Sequence, residues 1–373
     1  MKKNIFPFFF IFILLFFCIF YIKNIFFNNF DFDNKKNIFM YNKFLNIKKE
    51  LAKYNNDKFK TLKDEDKKYK SVYITTKNVF LDLSEKSVKN GDGDNNIINY
   101  IDSFNKYLTK NNINFIYIDP PFKNSFYYDE LEKYDYYNDI DNYIEKKKQF
   151  SEKDINYISA NEVLRNSEIS ADQLFYKTEY HWTLEAGLYF TNELVDRINN
   201  DYNYQLDKEI LNKDNFLMKT YKNSYYGYYA RFFGADNKYS EDFTYYIPKT
   251  KTSFKINTLN QITEGDIGKI YNTDFSKKDI IEKKEYIYNN IVGGTGELVQ
   301  ITNMNSDNNK KVLLIGDSYT KAMTPFLSLV FNNIDIMDLR FNSNENNIIN
   351  YLEKNKPDLV LILNHGNFDK LNI

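Results

Sequence analysis

The sequence predicts an α/β protein: a largely parallel sheet with helices on both faces, three layers in all, with inserted segments. Three observations predict it. The C-terminal third alternates short apolar runs with helical patterns, and runs this apolar are strands covered on both sides. Further upstream, a strand-like segment, a helical segment and a second strand-like segment follow one another as in the unit of a parallel sheet. The length, 373 residues, is ample for one large or two small domains with a proper core. No internal repeat at a fixed period and no phosphate-binding glycine loop is found.

The N-terminus is read first. Ile5 to Ile22 runs eighteen positions without a charge, after Lys2 and Lys3. Eighteen helical residues span about 27 Å, close to the ~30 Å of a bilayer core. Ile25, Phe26 and Phe27 extend the stretch past Lys23, which can snorkel. The basic start predicts a cytoplasmic N-terminus and an exported remainder. No small-x-small cleavage site follows, which favours an uncleaved signal anchor over residues 1–29 rather than a cleaved signal peptide. Cys18 follows Leu15-Phe16-Phe17, a poor lipoprotein signal, and reads as a lipid-facing residue. Residues 30–70, rich in Lys, Asn and Asp, read as a solvated, partly helical stalk. With a mean hydropathy of −0.60, the rest reads as a soluble domain, residues 71–373, outside the cytoplasmic membrane.

Within that domain, Ser71–Leu83 alternates like strands. Asn95–Lys110 has apolar residues at helical spacing, and Ile113–Asp119 is a short β-branched and aromatic run closed by Pro120-Pro121. Thr183–Asn199 is a helix candidate, followed by a long Tyr/Asn-rich stretch and two strand-like pieces, Phe243–Ile247 and Thr252–Ile256. Lys311–Ile315 is a strand. Tyr319–Phe331 is a helix, provided that it starts late or kinks at Pro325. Ile334–Leu339, Asn346–Lys354 and Leu359–Leu363 complete the pattern as strand, helix and strand.

Composition narrows the chemistry. A net charge of −1 gives no electrostatic reason to bind nucleic acid. One cysteine excludes a disulfide framework and cysteine-rich metal sites, and two histidines leave little room for a multi-histidine site. With 33 Tyr and 33 Phe, and abundant Lys, Asn and Ile, codon bias makes those residue types uninformative. His181, His365, Trp182, the four arginines and the glycines carry more weight.

An apolar strand ending in Gly316-Asp317-Ser318, with a helix after it, puts Ser318 at the carboxyl end of a strand, where open α/β sheets bind ligands. Backbone N–H groups at the next helix start can stabilise an oxyanion. The alternative is that Asp317 or Ser318 only caps that helix. In Tyr176–Thr183 (YKTEYHWT), Glu179 and His181 are two apart, so in extended chain both point to one side. A carboxylate there can hold Nδ1–H and leave Nε2 as a base. The alternative is a structural histidine packed by aromatics. Thr183 is a candidate N-cap. A serine nucleophile needs a base, and His365, in LILNHGNF, is the other candidate; without a carboxylate at short spacing it ranks below His181.

The run Ala171–Thr183 (ADQLFYKTEYHWT) resembles the motif of the DHHW family of exported SGNH-hydrolase-like proteins, relatives of alginate O-acetyltransferase accessory proteins. The resemblance extends over about residues 71–365. Ile118–Lys123 (IDPPFK) is similar to the family's strand and Pro-x-Lys segment. Tyr226–Gly234, Asp242–Pro248, Asn290–Thr302, Leu314–Leu327 (LIGDSYTKAMTPFL), Ile336–Phe341 and Lys356–Leu363 follow in the family's order. The resemblance implies an SGNH-type α/β/α fold and a triad of Ser318, His181 and Glu179. The family's acid is usually Asp, one methylene shorter than Glu179, and Tyr180 stands where the motif has its first His. The serine follows the histidine, an order that the DHHW branch shares. The resemblance also implies a Gly and an Asn as oxyanion donors; Gly294, Asn303, Asn342 and Asn364 are candidates. Arg231 and Arg340, in family-like segments, line the cleft, anchor loops or form buried ion pairs, the last being the favoured role.

These readings imply a membrane-anchored, extracytoplasmic serine O-acyltransferase that modifies a polysaccharide through an acyl-serine. It needs no metal or other cofactor, and it takes acyl groups from a donor, supplied by a membrane-bound O-acyltransferase as partner. Tyr clusters such as Tyr225–Tyr229 would stack on sugar rings, or simply reflect codon bias. A carbohydrate esterase with the same triad and a non-catalytic SGNH-like scaffold of a polysaccharide secretion machine are the alternatives.

Overall fold

The computed structural model describes residues 59–63, 69–75, 79–82, 92–131, 140–232, 239–258, 261–275, 287–294, 298–341 and 348–363. The chain divides into two units, Met1–Thr61 and Leu62–Ile373, and the described residues fall almost entirely in the second. The expected membrane anchor and Cys18 lie outside the described residues. Among those that are described, no helix is long and apolar enough to cross a membrane. The last part of the segment read as stalk is extended chain: β1 (Phe59–Lys63) and the start of β2 (Tyr69–Ile74) lie in it.

The further elements, in chain order, are β3 (Phe80–Asp82), α1 (Asp92–Lys110), β4 (Asn114–Asp119), α2 (Ile140–Ser151), β5 (Tyr157–Ser159), α3 (Leu184–Tyr202), β6 (Phe216–Tyr225), β7 (Glu241–Pro248), β8 (Phe254–Thr258), β9 (Ile262–Gly265), β10 (Val299–Asn303), β11 (Lys311–Gly316), α4 (Thr324–Val330), β12 (Asn333–Met337), α5 (Ile348–Asn355) and β13 (Leu359–Leu363). Eight strands form one sheet in the order β5-β4-β13-β11-β12-β10-β8-β9. The first five are parallel. From β10 outward the pairing turns antiparallel.

Side chains alternate faces along a strand, and this sorts the core into two layers. Phe115, Tyr117, Leu313, Ile315, Val360 and Ile362 pack with Ile101, Phe104 and Leu108 of α1 and Leu352 of α5. Ile116, Ile118, Val312, Leu314, Leu361 and Leu363 pack with Leu194 and Ile198 of α3 and Phe326 of α4. The predicted three layers are therefore present, and β13 is buried along its whole length.

Two expectations are corrected. Ser71–Leu83 does not enter the parallel sheet: β2 and β3 pair antiparallel in a separate sheet of three strands. The parallel neighbours of β4 are β5 and β13, both later in the chain. Alternation reports a strand but not its partner. The Tyr/Asn-rich stretch contains a ten-residue strand, β6, paired with β7. Most of its middle is exposed, so no apolar alternation marks it.

Pro325 falls in the first turn of α4, after a separate 3-10 turn over Ser318–Ala322, where a missing N–H costs no hydrogen bond. Thr183 caps α3, its Oγ1 accepting from Ala186 N at 3.2 Å. Gly187, one turn into α3, lets that helix lie against the turn after the serine. A Cβ there would stand 2.1 Å from the Ala322 carbonyl oxygen.

The segment joining β5 to α3 carries Glu179 and His181, and it is gripped by one buried and one half-buried charge. Lys123, 3% exposed, donates through Nζ to the carbonyls of Phe80, Tyr176, Lys177 and Glu179 at 2.9, 2.7, 3.1 and 2.7 Å. The Glu241 carboxylate of β7 accepts from Lys177 N at 2.7 Å, from Thr178 N at 2.8 Å and from the Thr178 hydroxyl. Burial pushes the Lys123 ammonium down to about 7, against the pull of Glu241, Glu179 and Asp172. Burial also raises the Glu241 carboxyl, against the hydrogen bonds from Thr178 and Lys177.

Gly187→Ala should destabilise the fold by about 2–4 kcal/mol, read from urea or thermal denaturation, because backbone blocks the added methyl. A second prediction concerns pH. Between pH 7 and 10 the unfolded chain holds a proton that Lys123 has released in the fold, so stability rises with pH by up to about 1.4 kcal/mol per unit. Lys321, lowered by burial to about 8, adds to the same rise above pH 8. Above about pH 10 the trend should reverse, because buried Tyr176, Tyr271 and Tyr288 hold their protons above the usual phenol range. Lys123→Met should remove the part of the rise between pH 7 and 8.

Candidate active site

β11 is buried between β13 and β12, and its last residue, Gly316, permits the sharp exit that brings Ser318 to the carboxyl edge of the sheet. A Cβ on Gly316 would stand 2.4 Å from both the Leu363 carbonyl oxygen and Thr320 Cγ2. Asp317 is the cap of the following turn, its Oδ1 accepting from Tyr319 N at 2.9 Å. Ser318 is half-buried, and its own N–H donates to no described group.

His181 and Glu179 come to this serine from the loop before α3. Phe175 and Trp182 bridge as in a narrow hairpin, and Tyr176 N donates to the His181 carbonyl at 3.2 Å. His181 Nε2 lies 2.8 Å from Ser318 Oγ. Its Nδ1 lies 3.2 Å from Glu179 Oε1, within ion-pair reach but off the line of a straight hydrogen bond. Small rotations of ring and carboxylate would align them, and such bonds often tighten only on substrate binding. His181 is 1% and Glu179 0% exposed. Tyr225 donates its hydroxyl to Glu179 Oε1, and Gly227 makes room for the Glu179 stem, since a Cβ there would stand 2.4 Å from Glu179 Cβ.

The serine and histidine segments are also tied to each other. Trp182 Nε1 donates to the Tyr319 carbonyl at 2.8 Å, and the Tyr319 hydroxyl donates to the Tyr180 carbonyl at 3.1 Å. Tyr288 donates its hydroxyl to the Ser318 carbonyl at 3.0 Å, and its ring stacks on His181 with centroids 4.4 Å apart. Tyr180 packs against the same imidazole, with centroids 4.2 Å apart.

Of the oxyanion candidates, Gly294 is near the serine turn: a Cβ on it would lie 2.3 Å from the Asp317 carbonyl oxygen. Its N–H, however, is given to Thr320 Oγ1 at 2.8 Å, so it is not a free donor, which corrects that assignment. Asn303 is corrected too. Its register beside Asn333 and Lys311 puts it at the amino edge of the parallel strands, the opposite end of β11 from Ser318. There its side chain donates to the Ser328 and Leu329 carbonyls at the end of α4. Asn342, Asn364 and His365 lie outside the described residues, as does the side chain of Arg231. Arg340 pairs with the buried Asp338 through Nε and Nη2 and donates to the Gly294 carbonyl at 3.2 Å, but its own side chain is exposed, so the pair is not the buried one expected. That pairing raises the guanidinium above its ordinary range. Among the described residues, no group of three or more His, Cys, Asp or Glu could hold a metal ion.

Sequence reasoning missed Tyr288, Tyr319, Glu241 and the role of Lys123, and it read Tyr225 and Tyr229 as stacking surfaces for sugars, whereas both are buried. Among 33 tyrosines and 50 basic residues, no single one stands out. The Pro-x-Lys segment was the one available signal, and it pointed at Lys123 without saying what the lysine touches.

Residues 80–255, just under half of the chain, match the family described as SGNH hydrolase-like domain, acetyltransferase AlgX. No curated protein matches the chain. Among solved structures, PatB1 from Bacillus cereus superposes with a TM-score of 0.62 at 18% identity, over 81% of this chain and 97% of that one. The same protein with a sulfonyl adduct gives 0.59 at 17%, over 81% and 95%. A DHHW family protein from Eubacterium siraeum gives 0.58 at 17%, over 81% and 94%. At such identities the likeness to each structure is one of fold. Residues 80–255 are thus similar to the SGNH hydrolase-like domain, and the larger part of the chain shares the fold of these solved structures.

Proposed function

We propose that the chain is a serine O-acyltransferase that modifies a polysaccharide outside the cytoplasm through an acyl-serine, held at the membrane by residues 1–29. The observation that carries this reading is the 2.8 Å contact between His181 Nε2 and Ser318 Oγ, with Glu179 behind the imidazole. The match to a family described by acetyl transfer supports the reaction class. The apolar, uncharged N-terminal run supports the anchor.

In this reading Glu179 holds Nδ1–H, so Nε2 is bare and accepts the Ser318 hydroxyl proton as Oγ attacks the acyl carbonyl. The Ser318 N–H, free of other acceptors, donates to the oxyanion. The tetrahedral adduct collapses, the donor's leaving group takes the proton from His181, and an acyl-Ser318 ester remains. A sugar hydroxyl then attacks that ester, giving its proton to His181, and Ser318 recovers it on release. A general base contributes about 10²–10⁴-fold and one oxyanion donor about 10²–10³-fold. The acyl donor reaches the site through a membrane-bound O-acyltransferase partner.

Ser318→Ala and His181→Ala should each lower acetyl release from p-nitrophenyl acetate by about 10³-fold or more, with the fold unchanged by circular dichroism. Mass spectrometry should find an acetyl adduct on Ser318 of the wild type. Preferential transfer to an oligosaccharide supports the transferase. Release to water alone would leave an esterase, and inertness towards every ester with sugar binding retained would leave a scaffold.

A further inference from the structure

We propose that Lys123 is a positioning residue for this chemistry, its buried ammonium fixing the Glu179–His181 segment and keeping that pair free of an extra proton; the proposal rests on the acyl-transfer reading. Four carbonyls converge on Nζ within 3.1 Å, and three of them belong to Tyr176, Lys177 and Glu179. A bond to the main chain of Glu179 sets where its carboxylate emerges, two residues before the imidazole. An ammonium has three N–H donors for this set and a neutral amine only two.

The charge acts as well as the donors. Glu179 is fully buried, with the Tyr225 hydroxyl and the His181 ring at its carboxylate, so a nearby cation acts on this pair through little solvent. The charged groups acting on Lys123 are Glu241 on β7, Glu179 on the gripped loop and Asp172 in the short helix before the loop. Glu241 also has the Lys177 and Thr178 groups as donors, and Asp172 has the Tyr127 hydroxyl. A cation beside the Glu179–His181 pair disfavours protonation of either member. Its removal therefore raises the pH at which the pair gains a proton, whichever member takes it.

The test compares the full-length wild type with Lys123→Met, an apolar chain of similar length, by the pH dependence of kcat/KM for acetyl release. The acid-side midpoint should move up by about one pH unit or more. Per serine titrated in the burst, kcat should fall by about tenfold or more, with KM changed less than about threefold. A merely structural lysine would lower the amount of active protein and leave the midpoint in place, and that result overturns the proposal. If Lys123→Met does not fold, Lys123→Gln, which keeps two donors and drops the charge, is held to the same shift. Should the wild type show no Ser318-dependent release, the acyl-transfer reading fails on its own. The role of Lys123 is then read from the His181 ring signals in isotope-labelled protein, assigned with His365→Gln. Their first change on acidification comes about one unit higher in the variant if the proposal holds, and at the wild-type pH if it does not.

Discussion

A buried ammonium and a half-buried carboxylate hold one short loop through opposite ends of its peptide dipoles. Lys123 takes the carbonyls of Tyr176, Lys177 and Glu179, and Glu241 takes the N–H groups of Lys177 and Thr178. Irregular backbone in an interior leaves polar groups that no ladder satisfies, and each unsatisfied one costs a few kcal/mol. Here charged side chains meet that need, and charge-assisted bonds are roughly twice as strong as neutral ones. The loop can then be both non-repetitive and fixed, which a segment presenting a carboxylate and an imidazole at set positions requires.

The serine side is held by different means. Its strand lies inside a parallel sheet, and its turn is determined by Gly316 and the Asp317 cap. The two halves meet through side chains: Trp182 and Tyr319 bond across the junction, and Gly187 lets α3 close onto the turn that carries Ser318. A shift of either half would break several bonds at once, so the 2.8 Å contact between imidazole and hydroxyl is the product of a network rather than of two residues alone.

Aromatic residues define the medium in which these groups sit. Tyr180 and Tyr288 lie against the His181 ring, and Tyr225 bonds to Glu179. Their phenol oxygens supply the few polar contacts that such an apolar site needs. Burial holds Tyr288 and Tyr176 well above the ordinary phenol range, so they serve as neutral donors and ring surfaces. Glu179 and Lys123 are both buried, so their charges act on one another more strongly than they would at a surface.

The sheet was legible because strands buried on both faces must be apolar throughout, and β11 and β13 are. Ser318 and the Glu179–His181 pair were legible because their chemistry needs particular residue types at short spacing. Thr183 was legible because a cap acts within one helical turn. Strand β6 was hidden because most of it faces solvent, and β2 with β3 was assigned to the wrong sheet because local alternation carries no information about partners. Gly294 and Asn303 were plausible donors by type, yet one N–H is already given away and the other side chain is at the far edge of the sheet. The sequence by itself therefore determined the layers and pointed to Ser318 and the Glu179–His181 pair as candidates, because those signals depend on neighbours a few residues apart. Only the tertiary structure decided that Lys123 and Glu241 hold the loop, and that Tyr288 lies on the imidazole, because those contacts join residues far apart in a chain where Lys and Tyr are common.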